Sequence, residues 1–311
     1  MGSYRNILLV SAGAEKDGGA FSQALSQARL SGGKLTAAVL CPPLKHARAE
    51  FTGELCAFLT QSTREHLERA AAASTSGGPA PAVDIEVITS SQPALEIVRR
   101  VLREDHDLVL KSVEAPSDQR GFKALDMQLL RQCPCPVWLS RPISRSRTDI
   151  RVAVAVDPED EGAADRDLQH RLLRTGAALA GDCDGVLRVI SCWDYPIETY
   201  LREHAMMRIE PAEIDAMVED ARTSHRRKLD ALLAQVSGPR VELAHLRGKP
   251  EDCIPAYVET SGVDVLVMGT VARTGIPGWV IGNTAEDVIK DLTCALVALK
   301  PSGFVSAIKA Y

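Results

Sequence analysis

The chain has 311 residues, 45% hydrophobic and 25% charged, with a formal net charge of −5. That composition is globular, and the length suits two domains whose cores need neither metals nor disulfides. The mild charge, with no strong basic stripe and no zinc-finger spacing, argues against a dedicated nucleic-acid binder, because DNA and RNA affinity rests largely on neutralised phosphates. No run approaches the ~20 apolar residues of a membrane-spanning helix. Met1–Asn6 lead straight into Ile7-Leu8-Leu9-Val10, so no signal peptide is expected. The eight cysteines are dispersed, and free thiols in a reducing cytoplasm are the expected state. Cys133 and Cys135 flank one proline; they read as core and neighbour thiols, with a redox or metal pair as the alternative. The seven histidines form no HExxH-type ligand set.

In chain order, the first half opens with a strand at Ile7–Val10, then a helix over Ala20–Leu30 that Ser31-Gly32-Gly33 breaks. A second strand, Leu35–Leu40, is followed by a long helix, Ala49–Ala73, ended by a Ser/Gly/Pro patch. The pattern continues as strand Val83–Ile88, helix Pro93–Arg103, strand Asp107–Leu110, helix Leu125–Arg131 and strand Pro136–Leu139. Pro93 fits the first turn of its helix, where the missing N–H costs nothing.

The second half repeats the order. Strands are predicted at Val152–Val156, Val186–Ser191, Val241–Leu246, Val263–Met268 and Ala295–Leu299. Helices are predicted at Asp167–Ala180, within Pro211–Val236, at Pro250–Thr260 and ending at Glu286–Asp291. Cys135-Pro136-Val137-Trp138-Leu139-Ser140-Arg141-Pro142 aligns with Cys294-Ala295-Leu296-Val297-Ala298-Leu299-Lys300-Pro301, and Asp107 with Asp264. This is the internal repeat of a whole domain. Segments between strands are long enough for crossovers, so parallel sheets in an α/β fold follow. The linker Ile143–Thr148 is short and basic, which sets the two domains against one another.

In parallel sheets ligands sit beyond the carboxyl ends of the strands, where strand order reverses. In the second half these ends carry Val156-Asp157, Met268-Gly269-Thr270 and, further on, Gly282-Asn283-Thr284-Ala285-Glu286 opening a helix. A helix start offers N–H groups and a favourable dipole to a phosphate, with Asn283 or Thr284 available as a cap. The glycines can equally make plain turns. Asp157 can accept from a ribose hydroxyl or an adenine amine, or cap a helix or form a surface turn. Arg273 can pair with phosphate oxygens or form an exposed ion pair. The first half offers only Val10-Ser11, Lys111 and an isolated Gly121 at the matching places. There is no Walker or GxGxxG sequence, and no nucleophile, base and orienting group occur together. His204, beside Glu203, Met206 and Met207, reads as part of an ordinary helix.

The duplicated order, Val156-Asp157, Gly248-Lys249-Pro250 and above all the run Gly269–Glu286 resemble the tandem universal stress proteins; Asp126–Arg141 resembles their first domain. The resemblance implies two tandem Rossmann-like domains, each a five-stranded parallel sheet of order 3-2-1-4-5. Residues 1–142 would form a degenerate domain and 149–311 a domain with a partial nucleotide-binding motif. The halves would pair through Val137–Leu139 and Leu296–Ala298 as an internal pseudo-dimer. The family's nucleotide motif falls on Gly269, Ala272, Gly282 and Asn283: its spacing is kept, but two of its four identities are not. By resemblance Ala155 and Asp157 sit by the adenosine, Val189 beside the adenine, Met268-Gly269 near ribose or phosphates, and Gly282, Asn283 and Thr284 at the phosphates.

The implied ligand is ATP or AMP, with or without Mg. The implied role is that of a cytoplasmic bacterial stress-response regulator acting through protein partners or as a homo-oligomer. A slow ATPase or nucleotide-dependent enzyme is the alternative, as is a carrier for an apolar or sugar-nucleotide ligand. For a carrier, Leu55, Phe58, Leu59 and Leu67, with Met206, Met207, Ile214 and Met217, would shape a groove; burial of these residues between the domains is the competing expectation.

Overall fold

Central strands carry unbroken apolar runs because a parallel sheet is covered on both faces. Ile7–Val10 and Ala295–Leu299 are buried at every position. The computed structural model describes residues 4–13, 18–44, 49–73, 81–113, 120–159, 162–203, 209–270 and 281–311. The first half runs β1 Asn6–Ser11, α1 Gly18–Ser31, β2 Lys34–Cys41, α2 Ala49–Ala73, β3 Val83–Thr89, α3 Pro93–Glu104, β4 Leu108–Ser112, α4 Ala124–Gln132 and β5 Val137–Ser140. The second runs β6 Val152–Ala155, α5 Ala163–Asp182, β7 Leu187–Trp193, α6 Glu198–Glu203, α7 Pro211–Leu233, β8 Val241–Arg247, α8 Pro250–Ser261, β9 Val265–Gly269, α9 Asn283–Asp291 and β10 Ala295–Leu299. The short α6 has no counterpart among the described residues of the first half.

One ten-stranded sheet has the order β3-β2-β1-β4-β5-β10-β9-β6-β7-β8, which is 3-2-1-4-5 within each half. Every neighbouring pair is parallel except β5·β10, which is antiparallel. There Leu139 faces Leu296, Trp138 faces Val297 and Val137 faces Ala298, the pairing implied by the resemblance. One core lies under α1, α2, α5 and α7, and the other under α3, α4, α8 and α9.

The repeat reaches individual bonds. Ala94, Ile97, Val98 and Val101 form the buried stripe of α3, at the spacing of one helical face. Both α3 and α8 begin with proline and end on a left-handed residue, Asp105 (φ 51°) and Gly262 (φ 56°). The Asp107 carboxylate accepts the Arg5 and Asn6 N–H groups at 2.6 and 3.0 Å, and Asp264 accepts Arg151 N–H at 2.8 Å. Each aspartate thus ties the start of the fourth strand in its half to the start of the first.

α2 and α7 do not lie between the halves. They cover the outer strands of the sheet, so Leu67 and Ile214 are buried within their own halves while Phe58 and Met217 are exposed. Met206, Met207 and His204 fall outside the described residues.

The seam is held by more than β5·β10. Lys300, which follows β10, is 5% exposed, and its Nζ donates to Arg131 O at 3.1 Å and to Cys133 O at 2.5 Å, the end of α4. Burial lowers its pKa to about 8. Arg131 pairs with Glu286 at 2.7 Å, and Gly121 N–H donates to Leu292 O, just past α9, at 2.9 Å. Gly121 has φ +71°, and a Cβ there would lie 2.6 Å from Lys290 O. Gly121→Ala is therefore expected to lower the unfolding free energy by about 2–4 kcal/mol, the left-handed cost plus a backbone clash. Gly32→Ala, at φ +62° with nothing within 4 Å, should lose only about 1–2 kcal/mol. Urea unfolding of both variants reads the difference; equal losses would mean that the seam contact contributes nothing.

Under α7, His225 Nδ1 and His245 Nε2 lie 2.9 Å apart with stacked rings. Burial lowers both pKa values, and the mutual charge of the pair adds to this for His245. The folded state thus resists protonation that the unfolded chain accepts near 6.5. Stability is full above that value and falls as pH drops toward the lowered folded values. Urea midpoints measured from pH 7.5 down to about pH 5 should fall more in the native chain than in His245→Gln.

Candidate functional site

The strand order reverses between β6 and β9, and a cavity of about 470 Å³ opens there at the carboxyl ends of the strands. Ala155, Val156 and Asp157 line it from the end of β6, and Ile190 and Cys192 from β7. Met268 and Gly269 close it from β9, Leu168, Gln169 and Leu172 from α5, Pro250 and Ile254 from α8, and Gly282–Ala285 with Val288 from α9. The walls are mainly aliphatic, with polar groups at the mouth, as in small-molecule sites generally.

Asp157 N–H donates to Gln169 Oε1 at 3.1 Å, and its carboxylate Oδ1 accepts the Glu159 N–H at 3.0 Å. The side chain therefore makes a local turn and lines the cavity at once. Gly282, not Asn283 or Thr284, is the N-cap of α9: it has extended backbone (φ −62°, ψ 145°), and no side chain caps the helix. Asn283 and Thr284 occupy the first helical positions, since Glu286 N–H already closes onto Gly282 O at 2.8 Å. Gly282 N–H donates to Thr270 O at 3.0 Å, which holds the end of β9 against the start of α9. Burial pushes the Cys192 thiol up to about 12, so it stays protonated at the cavity wall.

Of the residues singled out from sequence, Ala155, Asp157, Met268, Gly269, Gly282, Asn283 and Thr284 meet at this one cavity. Val189 does not: it is fully buried in the opposite core, while Ile190 lines the cavity. Side chains alternate along a strand, and the pairing of Ala155 with Ile190 puts that residue on the cavity side. Ala272 and Arg273 fall outside the described residues. Gln169, Leu168 and Leu172 escaped the sequence reading because they come from a helix face. Their buried stripe was visible, but not the strand ends it would roof.

The first half has the same framework, with different residues at the matching places. Matching the strand pairings Ile7↔Leu108 and Val152↔Val265 sets Asp157 against Ala12 and Met268 against Lys111. The buried stripe Asp126, Leu129, Leu130 of α4 matches Ala285, Val288, Ile289 of α9. Lys111 Nζ and Asp126 Oδ1 form a 3.0 Å ion pair, with side chains 5% and 0% exposed. Asp126 also accepts the Lys123 N–H at 3.2 Å, at the start of α4. An internal carboxylate thus occupies the helix start that is open to the cavity in the second half. Lys111→Met alone strands a buried carboxylate and should cost about 3–5 kcal/mol. Lys111→Met with Asp126→Ala, the residues of the second half, should recover at least about half of that loss. Chemical denaturation of the native, single and double variants measures both.

Fold and cavity together define a duplicated, doubly wound α/β protein with a ligand-sized hollow at the switch point of its second half. Residues 151–300 match the family described as "Universal stress protein family". Universal stress protein E of Escherichia coli K12 is 29% identical across 99% of this chain and 98% of its own length. The Photorhabdus laumondii protein of that name is 26% identical across 100% and 99%. Among solved structures, a functionally unknown Pseudomonas aeruginosa PAO1 protein shares the fold with a TM-score of 0.69 and 23% identity over 97% of this chain and 94% of its own. A universal stress protein from Archaeoglobus fulgidus does so with a TM-score of 0.61 and 15% identity over 95% and 98%. The second half thus matches the universal stress protein family, and the chain as a whole is similar to these full-length relatives.

Proposed function

We propose that the chain is a stress-response regulator whose C-terminal half, residues 149–311, holds an adenine nucleotide, ATP or AMP, as a regulatory ligand, while residues 1–142 form a domain that carries none. The observation that carries this reading is the meeting of Asp157 with the uncapped start of α9 across one cavity of about 470 Å³. The aliphatic walls at Ala155, Ile190 and Met268 suit a base. Asp157 at the rim suits a ribose hydroxyl or an exocyclic amine. The Gly282–Ala285 turn suits phosphate through its N–H groups and dipole. ATP would carry Mg between its phosphates; the nearby polar side chains, Asn283 and Thr284, offer neutral oxygens to such an ion.

Among the described residues, the polar groups on the cavity wall are Asp157, Gln169, Cys192, Asn283 and Thr284. This set recognises a nucleotide more readily than it activates a water, so binding rather than turnover is the assigned role. In this reading the protein acts in the cytoplasm, with nucleotide occupancy changing the surface offered to protein partners or to another copy of the chain.

Titrating ligand-free protein calorimetrically with ATP, ADP and AMP, with and without Mg, should give saturable binding of one nucleotide per chain. Asp157→Ala should weaken it about tenfold, the worth of one charged hydrogen bond. No heat at millimolar nucleotide would remove the reading. Steady release of phosphate that is lost in Asp157→Ala would replace the regulator with an enzyme.

A further inference from the structure

Cys133 and Cys135 are separated by one proline between the end of α4 and the start of β5, and the fold brings their sulfurs together: Sγ···Sγ is 3.5 Å. Cys133 is the C-cap of α4, with its N–H bonded to Leu129 O at 2.9 Å. Cys133 is fully buried, while Cys135 is partly exposed. The buried ammonium of Lys300 reaches over from the other half and donates to Cys133 O. All eight cysteines are free thiols, but this pair alone joins sequence adjacency, sulfur contact and a buried cation.

We propose that Cys133 and Cys135 form a redox-active dithiol at the seam between the two halves, one that a hydroperoxide oxidises to an intrachain disulfide. Burial alone would raise the Cys133 thiol; the hydrogen bond from Cys135 and the charge of Lys300 outweigh it and lower the pKa. The same contact, with burial second, raises Cys135. The negative charge thus rests on the Cys133 sulfur, and Cys135 keeps its proton as the partner thiol.

In the oxidation, the Cys133 sulfur, which the Cys135 contact and Lys300 favour as thiolate, attacks one oxygen of hydrogen peroxide. The O–O bond breaks, a sulfenic acid forms, and the departing hydroxide takes a proton to leave as water. The Cys135 sulfur then attacks the sulfenic sulfur, the S–O bond breaks, and the second hydroxide leaves as water with the remaining thiol proton. Two thiols and one peroxide give one disulfide and two waters. A dithiol reductant returns both electrons by exchange. Bond formation brings the sulfurs from 3.5 Å to about 2.05 Å. It removes the negative charge beside Lys300, leaving the buried ammonium with two carbonyls and the Phe304 ring, 4.0 Å away. Oxidation therefore weakens the grip of Lys300 on the end of α4.

The test uses the full reduced chain, hydrogen peroxide, and alkylation followed by tryptic mass mapping. The peptide beginning at Gln132 carries both sulfurs and no other cysteine. It should become resistant to alkylation, lighter by about 2 Da, and restored by dithiothreitol. Its oxidation should run at least about tenfold faster than that of the other six cysteines and of the same peptide in urea-unfolded protein. Lys300→Met, with a native circular dichroism spectrum, should slow it about threefold or more. The proposal fails if the peptide stays alkylatable, gains oxygens without passing through the disulfide, or oxidises no faster folded than unfolded. An unchanged rate in folded Lys300→Met removes the part assigned to Lys300. If that variant does not fold, the comparison of native and unfolded chains still decides the dithiol itself.

Discussion

Each half ends on a fifth strand buried on both faces, and such a strand has a row of backbone donors and acceptors that water cannot reach. Pairing β5 with β10 satisfies both rows at once. Two sheets that would each carry a hydrophobic edge become a single sheet whose outer strands, β3 and β8, are only partly buried. Everything else at the seam follows from that pairing, because it sets α4 beside β10 and α9 beside β5. The buried cations Lys300 and Arg141 follow the two fifth strands at matching positions. Lys300 meets the carbonyl end of α4, where the helix dipole favours a positive charge.

The halves share a backbone plan and differ in what occupies the strand ends. In the second half Met268 and Ala285 leave a hollow, and the start of α9 faces it. In the first, Lys111 and Asp126 stand at those places as an ion pair, and the carboxylate sits at the start of α4. A buried pair of this kind is seldom a large net source of stability against an apolar replacement, yet it is costly to break. Its consequence is structural: the start of α4 already holds a carboxylate of its own chain.

The first half also helps to frame the cavity of the second. Arg131 on α4 reaches Glu286 in the first turn of α9, and Gly121 N–H takes the carbonyl of Leu292 beyond its last turn. The Arg131–Glu286 pair is partly exposed and individually modest in energy. With the β5·β10 ladder behind it, it fixes the position of the helix whose start faces the cavity. The cavity belongs to one half, and its framework to both.

The order of elements, the duplication and the two anchoring aspartates were legible in the sequence because they rest on local signals: apolar runs, glycine and proline breaks, and repeated spacing. Asp157, Met268 and Gly269 were singled out by one topological rule about parallel sheets, Gly282, Asn283 and Thr284 by a helix start, and Ala155 by the family resemblance alone; all seven line the one cavity. Only tertiary structure decided that Ile190 rather than Val189 faces the cavity, since a parity along β7 has meaning only once its register with β6 is set. The same holds for Gln169, which reaches the site from a helix, and for Lys111 with Asp126, whose contact joins positions on separate elements. Gly282 became the cap of α9 because Thr270 holds its N–H, a bond between the two ends of a loop. The exposure of Phe58 and Met217 likewise depended on where α2 and α7 lie across the sheet. Periodicity along a chain specifies which residues share a face; what that face meets is set by packing among elements far apart in sequence.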